Sequence, residues 1–358
     1  MFLNIGYSHE WWHTRHGISF DESLYRDPIK KLSNQNFMDE WMRDRFAKWG
    51  LFQTPRDTRV ISSPTVAIEP YGHRFIPAMF GVPLRFAADQ PPWAHAILLD
   101  DAEIQSRKPV TREEFAAHPL VREIVRQHDI LKSISKSEGQ TCSSQQNLGS
   151  VANTMIYLRG SDLFYDFRDK PEVIYRLLEL ITEMMITAYD YFCEVDGYVS
   201  PLGVGNCSVA MISPRIYEEF CCPNDLQLMN HARSRNVPFT IHQDSRIDPY
   251  IPVYRPFDYL NGFDIGCDSD VRLFREAFPE IEINIFLYTG TLHSLNALQL
   301  YDLVITLAQQ GRPYSKVGFS VYDIDPGVPE EKIDAICEAH TRLCQHGCAI
   351  QHHPRYEQ

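Results

Sequence analysis

The feature that most constrains this chain is the regular alternation of strand-type and helix-type segments in its second half. Strands are expected over 197–202, 238–242, 259–265, 282–286 and 316–321, with helices over 213–235, 269–278, 296–310 and 329–346. Ahead of them Val173, Ile174, Leu177, Leu178, Ile181, Met184, Met185, Ala188, Tyr189 and Phe192 recur at helical spacing behind Asp169-Lys-Pro-Glu172, the mark of a long helix with one buried face. Ser213-Pro214 adds an N-cap followed by proline at the first helical position. Strand and helix in alternation imply parallel strands joined by helical crossovers. Two architectures do this, the open doubly wound sheet and the closed barrel of eight units. Neither G-x-G-x-x-G nor G-x-x-x-x-G-K-[ST] follows a candidate strand, which leaves the (β/α)8 TIM barrel as the expectation.

The first half is less regular. Residues 1–58 are rich in Trp and charge, with a helix expected over 36–49, and read as an N-terminal helical cap on a barrel formed by 59–358. Prolines crowd 57–109, where short strands and loops are expected. The 358 residues, 44% apolar and 23% charged, are enough for one large domain or two medium ones. A net charge of -13 disfavours nucleic acid or an anionic membrane as the main partner. The start of the chain lacks the pattern of a secretory signal, no run of about 18 apolar residues occurs, and nine cysteines without framework spacing read as reduced thiols. A cytoplasmic protein, as a homodimer, is the expectation.

A barrel places its chemistry where strands end. Asn206 and Cys207, His242 and Asp244, Asp264 and Asp268, Tyr288, and Tyr322, Asp323 and Asp325 stand at those points. His242 and Asp244, two residues apart, point to one side if extended. The plainer reading of His242 is a half-buried histidine bonded to Asp244 or Asp268. Cys337, His340 and Cys344 share a helix face, with His346 and Cys348 close behind; together with Ile333, Ile336 and Leu343 they read as a packed stripe rather than a metal site. Trp11 and Trp12 either anchor the N-terminal helix or touch substrate.

Several segments, in order, resemble the uroporphyrinogen decarboxylase superfamily: Phe75-Ile-Pro-Ala-Met-Phe-Gly81, Leu158-Arg-Gly160 with Asp162, Asp169-Lys-Pro-Glu172, Met211-Ile-Ser-Pro-Arg-Ile-Tyr-Glu-Glu-Phe220 with Pro223, Ile241-His-Gln-Asp244 and Gly327-Val-Pro-Glu-Glu-Lys-Ile333. The resemblance implies a (β/α)8 barrel with additional N-terminal helices and one of two chemistries: decarboxylation of tetrapyrrole acetate arms, or methyl transfer to a corrinoid carried by a partner protein, usually with zinc. The decarboxylase pattern R-x-x-G-R is replaced by Trp11-Trp-His-Thr-Arg-His-Gly17, which keeps Arg15 alone. The thiol-activating pattern H-x-C with a distal Cys is replaced by His242 and Asp244, with Tyr322 and Asp323 at the distal position. The implied enzyme is a methyltransferase or demethylase moving a methyl group from a small methoxylated or methylamine-type substrate to a corrinoid protein. His242 and Asp244 would be catalytic; zinc would sit on His242, Asp244, Cys207 and Asp323; Trp11, Trp12, His13, Arg15, Asn206, Tyr288 and Tyr322 would bind substrate. The rival is a decarboxylase or lyase gripping a carboxylate with Arg15, Arg159 or Arg215. A barrel that has lost catalysis and serves as a binding or assembly subunit is a further alternative. A D-x-H-x-x-G corrinoid-binding element is missing from the sequence, so the corrinoid would arrive on a partner.

Overall fold

A computed structural model describes residues 1–52, 65–67, 71–138 and 141–346. The chain divides into two compact units, Met1–Gly17 with Thr240–Gln358, and Ile18–Phe239. The expected cap-to-barrel boundary at residue 58 lies outside the described residues.

The first unit is built on strands Phe2–Tyr7, Phe239–Gln243, Leu260–Gly266, Glu282–Phe286 and Val317–Ile324. From one side of the sheet to the other their order is 2–7, 317–324, 282–286, 260–266, 239–243, and 2–7/317–324, 317–324/282–286 and 282–286/260–266 all pair parallel. Helices Val271–Ala277, Thr289–Ser294, Ala297–Gln310 and Glu330–His346 make the intervening crossovers and the final turn of chain. The α/β class with a parallel sheet is therefore as the alternation implies. Each strand alternates: Leu3, Ile5, Ile241, Phe263, Ile265, Ile283, Ile285, Phe319 and Val321 are buried, while the residues between them face the other way and keep partial exposure at His242, Asp264 and Asn284. Each large apolar side chain so buried contributes about 1.5–3 kcal/mol, so the register of the sheet is fixed by its apolar face.

The strand Phe2–Tyr7 corrects the expectation of a purely helical N-terminus. Leu3, Ile5 and Tyr7 alternate with Phe2, Asn4 and Gly6, and the strand runs along the last one with Leu3 opposite Phe319 and Asn4 opposite Ser320. Gly318 is required there, since a Cβ would overlap the Phe2 ring. Between Ile5 and Tyr7 the register slips, and opposite the slip Asp323 adopts a left-handed φ of 56°. In the last helix Ile333, Ile336, Cys337, His340 and Leu343 are buried, as the expected packed stripe requires, but Cys344 is exposed and lies outside it.

In the second unit the helix Pro171–Asp196 follows its apolar stripe and ends at Gly197, which takes the left-handed cap (φ 78°). That cap displaces the expected strand 197–202 to Leu202–Gly205. The N-terminal helix is Pro28–Phe46, earlier than 36–49, because Asp27 caps it and Pro28 opens it. Over 213–235 the helix is interrupted by a π turn, Tyr217–Cys221; Pro223 lacks the N–H that would close an α-turn onto Glu219. Where short strands and loops were expected, Phe75–Met79 is helical and Leu84–Ala87 pairs antiparallel with Gln90–Ala94. No helix among the described residues is long and apolar enough to cross a membrane.

Candidate active site

The half-exposed face of the first unit's sheet carries a row of polar side chains, one from each strand. Asn4 Nδ2 donates to Ser320 Oγ (3.3 Å), and Ser320 Oγ donates to Asn284 Oδ1 (3.0 Å). Asn284 Nδ2 donates to Asp264 Oδ1 (3.0 Å), and Asp264 Oδ2 lies 2.8 Å from His242 Nδ1. The far ring nitrogen, Nε2, is 3.8 Å from Asp244 Oδ2, too long for a hydrogen bond. A carboxylate offers only lone pairs, so the short contact calls for a proton on Nδ1, and in the neutral ring the lone pair then falls on Nε2. The imidazole is walled by Phe286, 4.7 Å away centroid to centroid in an edge-on arrangement, and Phe286 in turn lies 5.7 Å from Tyr322. The Tyr322 ring covers Gly6, where a Cβ would come within 2.5 Å of it.

Beyond the strand ends the groups are more exposed. Tyr288 donates to Asp268 (2.8 Å), and burial first, then the Asp268 carboxylate, push its phenol above the ordinary range. Gly266 makes this possible, since a Cβ there would overlap the Tyr288 hydroxyl and lie 2.7 Å from Asp268 Oδ1. Asp323 is raised by burial of its carboxyl and, secondarily, by the charge of Asp244, although the residue as a whole is exposed. Asp325 is engaged with His293 (2.6 Å) and the Gly327 amide (2.7 Å). Burial opposes ionisation there, but these bonds together hold the carboxyl below its usual range.

The other sequence-derived candidates are placed as follows. Trp11 and Trp12 are 5% and 6% exposed, their rings 5.0 Å apart; Trp11 lies 4.1 Å from the ring of Tyr7. His13 is half-buried and Arg15 exposed on the same helix, His9–His16. In the second unit Asn206 is fully buried and donates to Asp225 Oδ2 (2.8 Å), which also accepts from the Tyr217 hydroxyl (2.7 Å). Burial pushes the Asp225 carboxyl up to about 6 against these two donors. Cys207 opens the short helical turn after the strand Leu202–Gly205 and is half-buried. Arg159 is consumed internally: its guanidinium pairs with Asp166 (2.6 Å) and Asp101 (2.9 Å) and donates to the Leu99 carbonyl. Arg215 is exposed.

Asn4, Asn284 and Ser320 were not among the sequence candidates. The signal for them was local: each is a single polar residue between two buried apolar neighbours in a strand, Leu3/Ile5, Ile283/Ile285 and Phe319/Val321.

A parallel α/β sheet with an oriented imidazole and carboxylates on its open face defines an enzyme-type site. The chain belongs to the uroporphyrinogen decarboxylase (URO-D) family, whose model matches residues 65–286. Its fold is similar to that of a methyltransferase from Methanosarcina mazei, with a TM-score of 0.64 at 12% identity over 95% of this chain and 94% of that one. A B12-independent methionine synthase from Shewanella sp. W3-18-1 superposes over 67% of each chain with a TM-score of 0.40 and 10% identity. No curated protein sequence matches the chain.

Proposed function

We propose that the chain is the substrate-side methyltransferase of a corrinoid-dependent system, taking a methyl group from a small methoxylated or methylamine-type compound and delivering it to a corrinoid on a partner protein. The observation that carries this reading is the His242–Asp244 pair, with Nε2 turned away from the Asp264 hydrogen bond and 3.8 Å from a carboxylate oxygen. Two donors about 2.1 Å from one ion lie about 3.4 Å apart, so an imidazole nitrogen and a carboxylate oxygen at this spacing fit a divalent metal. His242 and Asp244 would hold zinc, with Cys207 and Asp323 as further candidate ligands on their positions in the chain. When bound, zinc would supply Lewis-acid polarisation at the atom that leaves the methyl group.

This chain's own residues prepare that atom. An ether or amine is a poor methyl donor because its leaving group is basic, so it must be protonated or polarised as the methyl departs. His242 Nε2 would hold the polarising metal through its lone pair in the neutral ring or, with the ring doubly protonated, give the proton; Asp264 holds the ring, and Phe286, Tyr288 and Tyr322 give an aromatic wall suited to a small apolar or cationic compound. Trp11, Trp12, His13 and Arg15, at the place of the family's R-x-x-G-R loop, and Asn206, just after a strand end, would be further substrate contacts. The reading includes closure of the sheet into the family's (β/α)8 barrel, and a cytoplasmic, dimeric protein.

The decarboxylase reading needs a cationic grip for carboxylates, and Arg159 is already spent on Asp166 and Asp101. The deciding experiment combines elemental analysis of wild type and His242→Ala with a screen of methylated donors against cob(I)alamin. About one zinc per chain, lost in His242→Ala, together with formation of methylcobalamin, supports the proposal. Carbon dioxide release from a carboxylic acid by metal-free protein, without methyl transfer, refutes it.

A further inference from the structure

The hydrogen bonds across the sheet all point one way. Asn4 donates to Ser320, Ser320 to Asn284, and Asn284 to Asp264, so every donor in the row is directed at the carboxylate that receives His242 Nδ1. The row crosses five neighbouring strands, from an exposed Asn4 through a fully buried Ser320 to the half-buried His242. Packing alone would be served by Val or Ile at these positions, as on the opposite face of the same strands. A polar row is sustained only if each member has its partner, and here each link is made.

We infer that Asn284 and Ser320, acting through Asp264, are positioning residues that fix the ring of His242 as the Nδ1–H tautomer and so make Nε2 the working atom of the site. The chemistry is directional. Asn284 Nδ2–H occupies Asp264 Oδ1 (3.0 Å), leaving Oδ2 to accept from the imidazole (2.8 Å). Ser320, by donating to Asn284 Oδ1, settles which end of that amide faces Asp264: an amide whose oxygen already accepts a hydroxyl proton presents its NH2 to the carboxylate. Turned the other way, its oxygen would meet the carboxylate oxygen and the bond would be lost. The serine hydroxyl, three strands away from His242, thus selects the nitrogen that bears the lone pair of the neutral ring.

The inference rests on the reading that His242 is the central residue of the site, but its test does not depend on methyl transfer. The full-length protein, labelled with 15N-histidine and freed of metal by chelation, is examined by NMR at a fixed pH where the imidazole is neutral, so that the ring nitrogen shifts report the tautomer directly. Wild type should show Nδ1–H almost exclusively. Ser320→Ala and Asn284→Leu, neither of which touches the ring, should raise the Nε2–H form about tenfold, and Ser320→Thr, which keeps the hydroxyl, should restore the wild-type ratio. Asp264→Asn removes the carboxylate without changing volume and should convert the ring largely to Nε2–H; it decides the matter if another variant does not fold. A ring that stays Nδ1–H in Asp264→Asn, or in both Ser320→Ala and Asn284→Leu, overturns the inference. If wild type shows the expected tautomer shift on mutation but binds no zinc and transfers no methyl group, the positioning row stands and the proposed reaction falls.

Discussion

Asp225 should make the protein less stable as pH rises from about 4 to about 7. Its carboxyl is fully buried, accepts hydrogen bonds from Asn206 and Tyr217 on Oδ2, and has no partner for Oδ1. Burial outweighs the two donors and raises the group from 3.8 to about 6. A group whose folded pKa is raised keeps a proton that the unfolded chain has released, so stability is highest below the unfolded value and falls as pH climbs to the folded one. A rise of about two units corresponds to about 3 kcal/mol lost in full only above about pH 7. In Asp225→Asn the group no longer titrates, while an amide oxygen still serves Asn206 and Tyr217. Its NH2 stands where Oδ1 lacked a partner, a penalty independent of pH. Urea unfolding of wild type and Asp225→Asn at about pH 4 and about pH 7.5 isolates the group, because all other titrations cancel in the difference. The stability of Asp225→Asn relative to wild type should grow by about 2.5 kcal/mol between the two conditions. A difference that stays flat to within about 0.5 kcal/mol would refute burial as the dominant influence on this carboxyl.

Two substitutions test other parts of the structure. Gly266→Ala should displace the Tyr288 hydroxyl from Asp268 and lower kcat/KM for the proposed methyl transfer by up to about 100-fold with the fold intact by circular dichroism; unchanged kinetics would remove Tyr288 from the site. Arg159→Met should cost about 3–5 kcal/mol by leaving Asp166 buried without its partner, and a loss below about 1 kcal/mol in urea unfolding, with impaired substrate binding, would return Arg159 to the role of a carboxylate grip.

The fold of the first unit was legible because its strands and helices follow a single hydrophobic period each. The strand Glu282–Phe286 has the bounds its alternation implies, and helix Ala297–Gln310 begins where the Asn296 capping box says it should. The N-terminal strand escaped because six residues carry too little pattern beside the Trp-rich helix that follows, and because its partner, Val317–Ile324, is more than 300 residues away in sequence. In the second unit the strand displaced to Leu202–Gly205 shows a local cap overriding a weak β signal, since Gly197 commits the chain to leave the helix before the strand begins.

The site was half legible for a related reason. Expecting chemistry at strand ends brings in His242, Asp244, Asp264, Tyr288 and Asp323, yet Asn284 and Ser320, which hold Asp264, sit in mid-strand, where spacing along any one strand cannot show them. Asp264 lies two residues before the end of its strand, and Asn284 and Ser320 are each one polar residue in an apolar run, individually indistinguishable from a tolerated surface residue. Only the sheet order makes them neighbours: Asp264 faces Asn284 in register, and Ser320 reaches Asn284 from the adjoining strand. The same order explains why a parallel sheet suits this device. Its evenly spaced ladder keeps side chains of successive strands at similar heights, so one polar layer can run from an exposed edge to the imidazole while the opposite face, apolar but for the buried Gln243, holds the register. A change on the apolar face that slipped one strand by a single residue would break the row at that strand and turn its polar member to the wrong side, which ties the orientation of His242 to packing far from it.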